Sequence, residues 1–261
     1  MRRFALVVLL ALFSISARAD EWSHTYPVSG KPEVAVNTDD GDVEVTVGSS
    51  QQVDVRVITR GWTIQRDVQV TANSSGNHVE IKVRKTSHVC FGMCFQSIRV
   101  EVRVPREADL DIHTDDGNVR AESVKGNLQL ETGDGNLTLR DVEGSLHAET
   151  GDGNVDVSGR FSALNLHTGD GNIEAEVSAT AAAQAQGGWL LRTGDGHVHL
   201  KLPSDLGADL DAHSGDGDVH VDFEAIDLDK DKDNSFRGKL NGGGISIQVR
   251  SGDGDIRVSK M

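Results

Sequence analysis

The chain has 261 residues, 37% of them apolar, and its 41 acidic residues outweigh 26 basic ones for a formal charge of −15. That balance repels nucleic acid and anionic lipid surfaces, and makes cationic partners or divalent ions the expected counter-charge. Beyond Ala19 no run approaches the roughly 20 apolar residues that a membrane-spanning helix needs.

Met1-Arg2-Arg3, an uncharged run from Phe4 to Ile15, and Ala17-Arg18-Ala19 follow the charged, apolar and small-residue order of a secretory leader. Residues 1–19 are therefore expected to be a signal peptide cleaved near Ala19, so that the mature chain starts at Asp20. Losing Arg2, Arg3 and Arg18 leaves it still more acidic. No cysteine follows the cleavage site to carry a lipid anchor. The expected product is exported, either periplasmic or extracellular, the latter including the cell surface.

Residues 20–105 show strand-like alternation at Val34-Val36, Val53-Val55-Val57, Val68-Val70, Val79-Ile81-Val83 and Ile98-Val100-Val102-Val104. They read as irregular β coils, or longer strands, that cap one end of a repeat array. Within them, Cys90-Phe91-Gly92-Met93-Cys94 is expected to form a Cys90–Cys94 disulfide, as two cysteines in an exported chain usually do. The bridge would hold Phe91, Met93 and Phe95 either on a projecting loop or tucked beneath the cap.

Residues 106–261 read as the regular part, continuous with the cap. A Thr/Ser-Gly/Asp-Asp-Gly corner recurs along the whole chain, at Thr38, Thr114, Thr132, Thr150, Thr168, Thr193, Ser214 and Ser251. The steps from Thr114 to Thr132 to Thr150 to Thr168 are equal, the fixed period of a stacked array, and the later, longer and unequal steps read as coils with insertions. The residues two and four before each Thr or Ser, and five and seven after it, are apolar in every repeat. One strand thus enters each corner and one leaves it, each with a buried face.

These features predict an all-β single-stranded parallel β-helix, a β-solenoid of about 18 residues per coil. A meander of Asp-Gly hairpins fits the same parity. The solenoid is preferred because the corner is nearly invariant while the second connection varies, as in Val124-Lys125-Gly126 and Phe161-Ser162.

The corner itself, Thr114-Asp116-Gly117, Thr132-Asp134-Gly135, Thr150-Asp152-Gly153 and Thr168-Asp170-Gly171 in the regular coils, is explicable without a ligand. Glycine is expected to supply positive φ, Asp and Asn to accept nearby backbone N–H groups, and Thr to point inward as a hydroxyl ladder.

Stretches 34–47, 104–139 and 240–258, with the leader, resemble the bacterial DUF4097 family of putative adhesins. The resemblance implies a right-handed β-helix on envelope or exported proteins, and it implies no catalytic residues.

Some residues also suggest metal chemistry. Asp40, Asp116, Asp134, Asp152, Asp170, Asp195, Asp216 and Asp253 would form a column at the roughly 4.8 Å strand spacing, which calcium could bridge as in a β-roll. Water and hydrogen bonds to the turn relieve the same repulsion, only about 1 kcal/mol at 4 Å. If coils stack in chain order, His197, His199, Asp218 and His220 meet on the outer face as a candidate zinc site. Asp227, Asp229, Asp231 and Asp233 alternate like an EF-hand loop, but Asn234 and Leu240 stand where it needs Gly and Glu, so a solvated acidic loop is expected.

The functional expectation is a non-catalytic cell-envelope adhesin or scaffold, with no required cofactor and an unidentified protein or envelope-surface partner. The alternatives are a carbohydrate-active β-helix enzyme and a calcium-stabilised binding protein. With one tyrosine and three tryptophans, the chain is poor in aromatic platforms for sugars.

Overall fold

A computed structural model describes residues 19–86, 96–178, 188–229 and 233–261, with backbone only for 225–229. The signal-peptide reading, Cys90 and Cys94 lie outside the described residues. All regular structure described is β. The first strands are β1 (Ala19–Pro27), β2 (Glu33–Thr38), β3 (Gly41–Val47), β4 (Gln52–Arg60), β5 (Val68–Ser75), β6 (His78–Lys85) and β7 (Ser97–Val104). Then come β8 (Asp109–Thr114), β9 (Val119–Glu122), β10 (Lys125–Thr132), β11 (Leu137–Thr150), β12 (Val155–Thr168), β13 (Ile173–Val177) and β14 (Trp189–Thr193). The chain ends with β15 (Val198–Leu202), β16 (Ala208–Ser214), β17 (Val219–Val221), β18 (Ala225–Asp229), β19 (Ser235–Leu240), β20 (Ile245–Ser251) and β21 (Ile256–Lys260).

Strands entering the corners form one ladder and strands leaving them form another, and β11 and β12 run through both. In the centre the pairing is parallel, and neighbours are offset by one repeat: Thr114 faces Thr132, Thr132 faces Thr150, and Thr150 faces Thr168. Of the apolar positions flanking the corners, all but the partly buried Val221 are buried in one continuous core. Period-2 alternation produces this directly, because each strand turns one row inward and the other to solvent. Leu166, fully buried, contributes a few kcal/mol that Leu166→Ala would forfeit.

The expectation of a purely parallel helix wound in chain order needs two corrections. First, both ends are antiparallel. At one end β4 pairs antiparallel with both β1 and β7, and β5 with β6; at the other, β19 pairs antiparallel with both β16 and β18. Hairpin-like strands reverse the chain at the ends, so that among the described strands the outer edges are β1, β5, β17 and β18.

Second, spatial order is not chain order. The coil of Thr38 lies directly on that of Thr114, through β2–β8 and β3–β9, although β4 to β7 intervene in the chain. The intervening residues build the end structure, with β6 on the far side of β2 and β7 on the far side of β3. At the other end the last coil intercalates. β20 lies between β14 and β16, and β21 between β15 and β17. The chain passes from β19 to β20 around the end of β16, through Asn241-Gly242-Gly243-Gly244, all at positive φ. Glycine suits this loop because three successive left-handed residues would strain any side chain with a Cβ.

Asp211 on β16 fastens this crossing. Its carboxylate accepts from Arg237 on β19 at 2.7 Å and pairs with Arg250 on β20 at 3.0 Å. Burial opposes ionisation of Asp211 most strongly, yet the hydrogen bond from Arg237 and the charges of both arginines hold its carboxyl below the ordinary range. The acidic segment after Val221 is also corrected: Asp227 and Asp229 lie on β18, paired with β19, rather than on the expected solvated loop, while Asp231 lies outside the described residues.

Deleting residues 245–261 removes an interior coil, so amide-exchange protection of β16 and β17 should collapse while β8 to β12 stay protected. Loss confined to the deleted residues' nearest amides would contradict the intercalated order. Because the Asp211 carboxyl is depressed, its stabilisation is present above the unfolded value, about pH 4, and fades as pH falls through the folded value. Asp211→Asn should abolish that acid-dependent loosening of the β16–β19–β20 crossing, as read by exchange between about pH 5 and 2.

Candidate functional site

The corners are the most repeated local structure, and their geometry assigns each residue. The Thr hydroxyl is buried and used twice. It accepts from the N–H of the glycine three residues on, as in Gly135 to Thr132 and Gly153 to Thr150, both 3.2 Å. It donates to the corner carbonyl of the adjacent coil: Thr132 to Gly117 at 2.9 Å, and Thr150 to Gly135 and Thr168 to Gly153 at 2.8 Å. The chain continues through Thr193 to Gly171 at 2.8 Å, Ser251 to Gly196 at 2.9 Å and Ser214 to Gly254 at 2.8 Å. Thr114 donates to Gly41 at 3.2 Å, while the buried Thr38 hydroxyl has no partner among the described residues, because the next strand presents Val83 in its place.

The corner glycines serve another purpose than the expected one. Gly117, Gly135, Gly153 and Gly171 do not have positive φ. A Cβ on Gly135 or Gly153 would instead sit 2.0 Å from the carbonyl oxygen of the glycine in the adjacent coil. Close stacking, not handedness, excludes side chains here.

Asn and Asp also act differently from expectation. Asn136 Oδ1 accepts the backbone N–H of Asn154 at 2.9 Å, and Asn154 Oδ1 that of Asn172 at 2.9 Å, so the hydrogen bonds run between coils rather than within a turn. Asp42 starts this second ladder at Asn118, and His197, Asp255 and Asp218 finish it. By contrast, the carboxylates of Asp116, Asp134, Asp152, Asp170, Asp195, Asp216 and Asp253 are exposed and have no hydrogen bond or ion pair among the described residues. Asp40, at the end of the column, pairs with Lys85.

The proposed histidine cluster does not assemble. Because β21 lies between β15 and β17, Arg257 faces both His199 and His220 and separates them. His197 accepts the Asp255 N–H through Nδ1 at 2.9 Å, His199 Nε2 lies 3.0 Å from Ser259 Oγ, and His220 Nε2 lies 2.5 Å from Asp222. Burial is the main influence holding His199 below the ordinary histidine range. Among the described residues no three His, Cys, Asp or Glu side chains converge as metal ligands.

The intercalation brings other residues together. One outward row, immediately before the corners, runs His113, Glu131, Glu149, His167, Arg192, Arg250 and His213 across successive strands. His113 Nδ1 approaches Glu131 at 3.4 Å, and His147 Nε2 approaches Glu149 at 3.7 Å. The second half of the row, from His167 to His213, carries no carboxylate. Beside it is a groove of about 640 Å³ lined by His167, Leu190, Arg192, Gln248 and Arg250. Leu190 is 37% exposed on its floor. Arg250 is held by the Asp211 and Val249 carbonyls at 2.8 and 3.0 Å, whereas Arg192 has no described partner. Sequence reasoning missed this set because Arg192 and Arg250 lie on strands far apart in the chain, and no motif marks them.

The corner geometry yields graded expectations for denaturant unfolding. Thr150→Val, isosteric but without the hydroxyl, leaves a buried N–H and carbonyl unpaired and should cost about 1–3 kcal/mol. Thr150→Ser should cost less, since Ser214 and Ser251 already serve in this role. Gly153→Ala should prevent close stacking and be the most damaging of the three. His197→Asn should be tolerated, because Asn supplies the same acceptor; a loss as large as that of Thr150→Val would refute the second ladder.

Comparison with known proteins adds the family. No curated protein matches the chain. A cell adhesion protein of Clostridium sporogenes, described as putative, is 14% identical and aligns over 92% of this chain and 100% of its own, with a TM-score of 0.38. A putative adhesin of Bacteroides fragilis is 13% identical over 92% of this chain and 97% of its own, with a TM-score of 0.45. One from Parabacteroides distasonis is 9% identical over 92% of this chain and 97% of its own, with a TM-score of 0.31. The Toastrack DUF4097 family matches residues 32–259, from the first coil through the intercalated last one, and the chain belongs to that family.

Proposed function

We propose that this family member is an exported, non-catalytic binding module of the cell envelope, acting as an adhesin or scaffold. The observation that carries the reading is where the polar groups go. Corner hydroxyls and amides are committed to coil-to-coil hydrogen bonds, so recognition is left to outward rows of side chains held in fixed register. A glycosidase-type enzyme needs a carboxyl raised to act as a proton donor. Among the described residues the carboxyls that are clearly shifted are lowered: Glu21 by Arg56, Asp67 by Arg66, Glu80 by Lys82, Glu174 by Lys201, and Asp211 as described.

The leader read in residues 1–19 supports export, with residues 20–261 as one continuous domain. The reading takes the central coils as turns of a single-stranded, right-handed parallel β-helix; the one-repeat register of β10, β11 and β12 supports its period. It requires neither calcium nor zinc, because the coil contacts are made by backbone, hydroxyl and amide groups.

Labelled mature protein should be retained saturably by isolated cell envelopes, and the exported chain should begin at Asp20 by N-terminal sequencing. Envelopes that retain it no better than an unrelated acidic protein would refute the binding role. Thermal unfolding should be the same with chelator as without; a rise in midpoint on adding calcium would instead make the corner carboxylates ligands.

A further inference from the structure

We infer that the groove lined by His167, Leu190, Arg192, Gln248 and Arg250 binds an anionic polysaccharide, with successive acidic sugars lying across the strands. The inference rests on the envelope-binding role and names the chemistry of its partner.

Charge is the first argument. In a chain with 41 acidic residues, two arginines stand on neighbouring strands in direct register, flanked in the same row by His167 and His213. Neighbouring strands put the two Cα atoms about 4.8 Å apart, so both side chains rise from one stretch of surface. The Asp211 carboxylate is already shared between Arg237 and Arg250. Arg250 is thereby neutralised, whereas Arg192 has no described partner and lines the groove, so Arg192 is the charge left for an external anion.

Spacing is the second. The row crosses parallel strands, so its side chains are rooted at intervals of roughly 4.8 Å. An extended peptide places same-side carboxylates about 6.6–6.8 Å apart and soon falls out of step. A sugar ring is close to one strand spacing in length, and its hydroxyls find the Gln248 amide while its apolar face finds Leu190. Guanidinium groups bind carboxylate and sulfate in the same planar, two-pronged manner, so uronate and sulfated polymers share the relevant chemistry. This recognition needs no aromatic platform.

The site is also a product of the fold. Arg250 comes from the last coil, and only its insertion between β14 and β16 joins Arg192 to His213 in one row.

The test uses the mature chain on immobilised polygalacturonate, dextran sulfate, neutral dextran and poly-glutamate, with isolated envelopes in parallel. Salt-sensitive retention on an anionic polysaccharide is expected, and preference for polygalacturonate or dextran sulfate identifies the acidic group. Arg192→Ala should weaken it about fivefold to tenfold, and Arg192→Glu further. Arg120→Ala, at an arginine on the other ladder with no described partner, should leave it unchanged.

Absence of retention on both anionic polysaccharides would overturn the inference, as would equal retention on poly-glutamate or indifference to Arg192→Ala. If envelopes still bind in that case, only the ligand assignment fails. If envelopes do not bind the unmodified chain, the binding role fails with it.

Discussion

The closeness of two corner backbones is the constraint on which the rest of this molecule depends. A methyl on Gly135 or Gly153 would lie 2.0 Å from the carbonyl oxygen of the neighbouring coil, so nothing larger than glycine fits. At that separation a buried Thr or Ser hydroxyl reaches both an N–H of its own coil and a carbonyl of the next. Inward Val, Leu and Ile rows supply the hydrophobic driving force, while the hydroxyl ladder fixes the register in which those rows meet.

This contact is local in space and indifferent to the path of the chain. Thr38 stacks on Thr114, and Ser251 stacks between Thr193 and Ser214, with the same kind of contact that joins coils consecutive in the chain. Order among near-identical corners is therefore decided elsewhere, by the connections and by ties such as Asp211 to Arg237 and Arg250. That is why the core was legible from period-2 alternation, and the inward Thr from its parity, while the stacking order was not. Corners that look alike carry no address. Alternation is equally silent on strand direction, so the antiparallel β4–β7 and β5–β6 pairs looked like further coils. Acidic residues on β18 masked a strand because their charge suggested a loop.

The same reasoning explains which functional residues were visible. His197, His199, Asp218 and His220 looked adjacent only under sequential stacking, and β21 parts them. Asn136 and Asn154 were read as turn-local, but their acceptors serve the next coil, which no single repeat can reveal. Arg192 and Arg250 become neighbours through the intercalated coil. The interior is thus a repeated hydrogen-bonded frame, and what distinguishes one stretch of the rod from another is the charge sequence read across its outward rows.

Coil order is the claim to test most directly, by disulfide trapping in a background with Cys90 and Cys94 changed to serine. Adjacent strands put Cα atoms about 4.8 Å apart, inside the disulfide window, and alternate strands about 9.6 Å apart, outside it. The His199→Cys, Arg257→Cys pair should oxidise to an intrachain disulfide, and the His199→Cys, His220→Cys pair should stay reduced. The reverse result would restore stacking in chain order and contradict the intercalated coil.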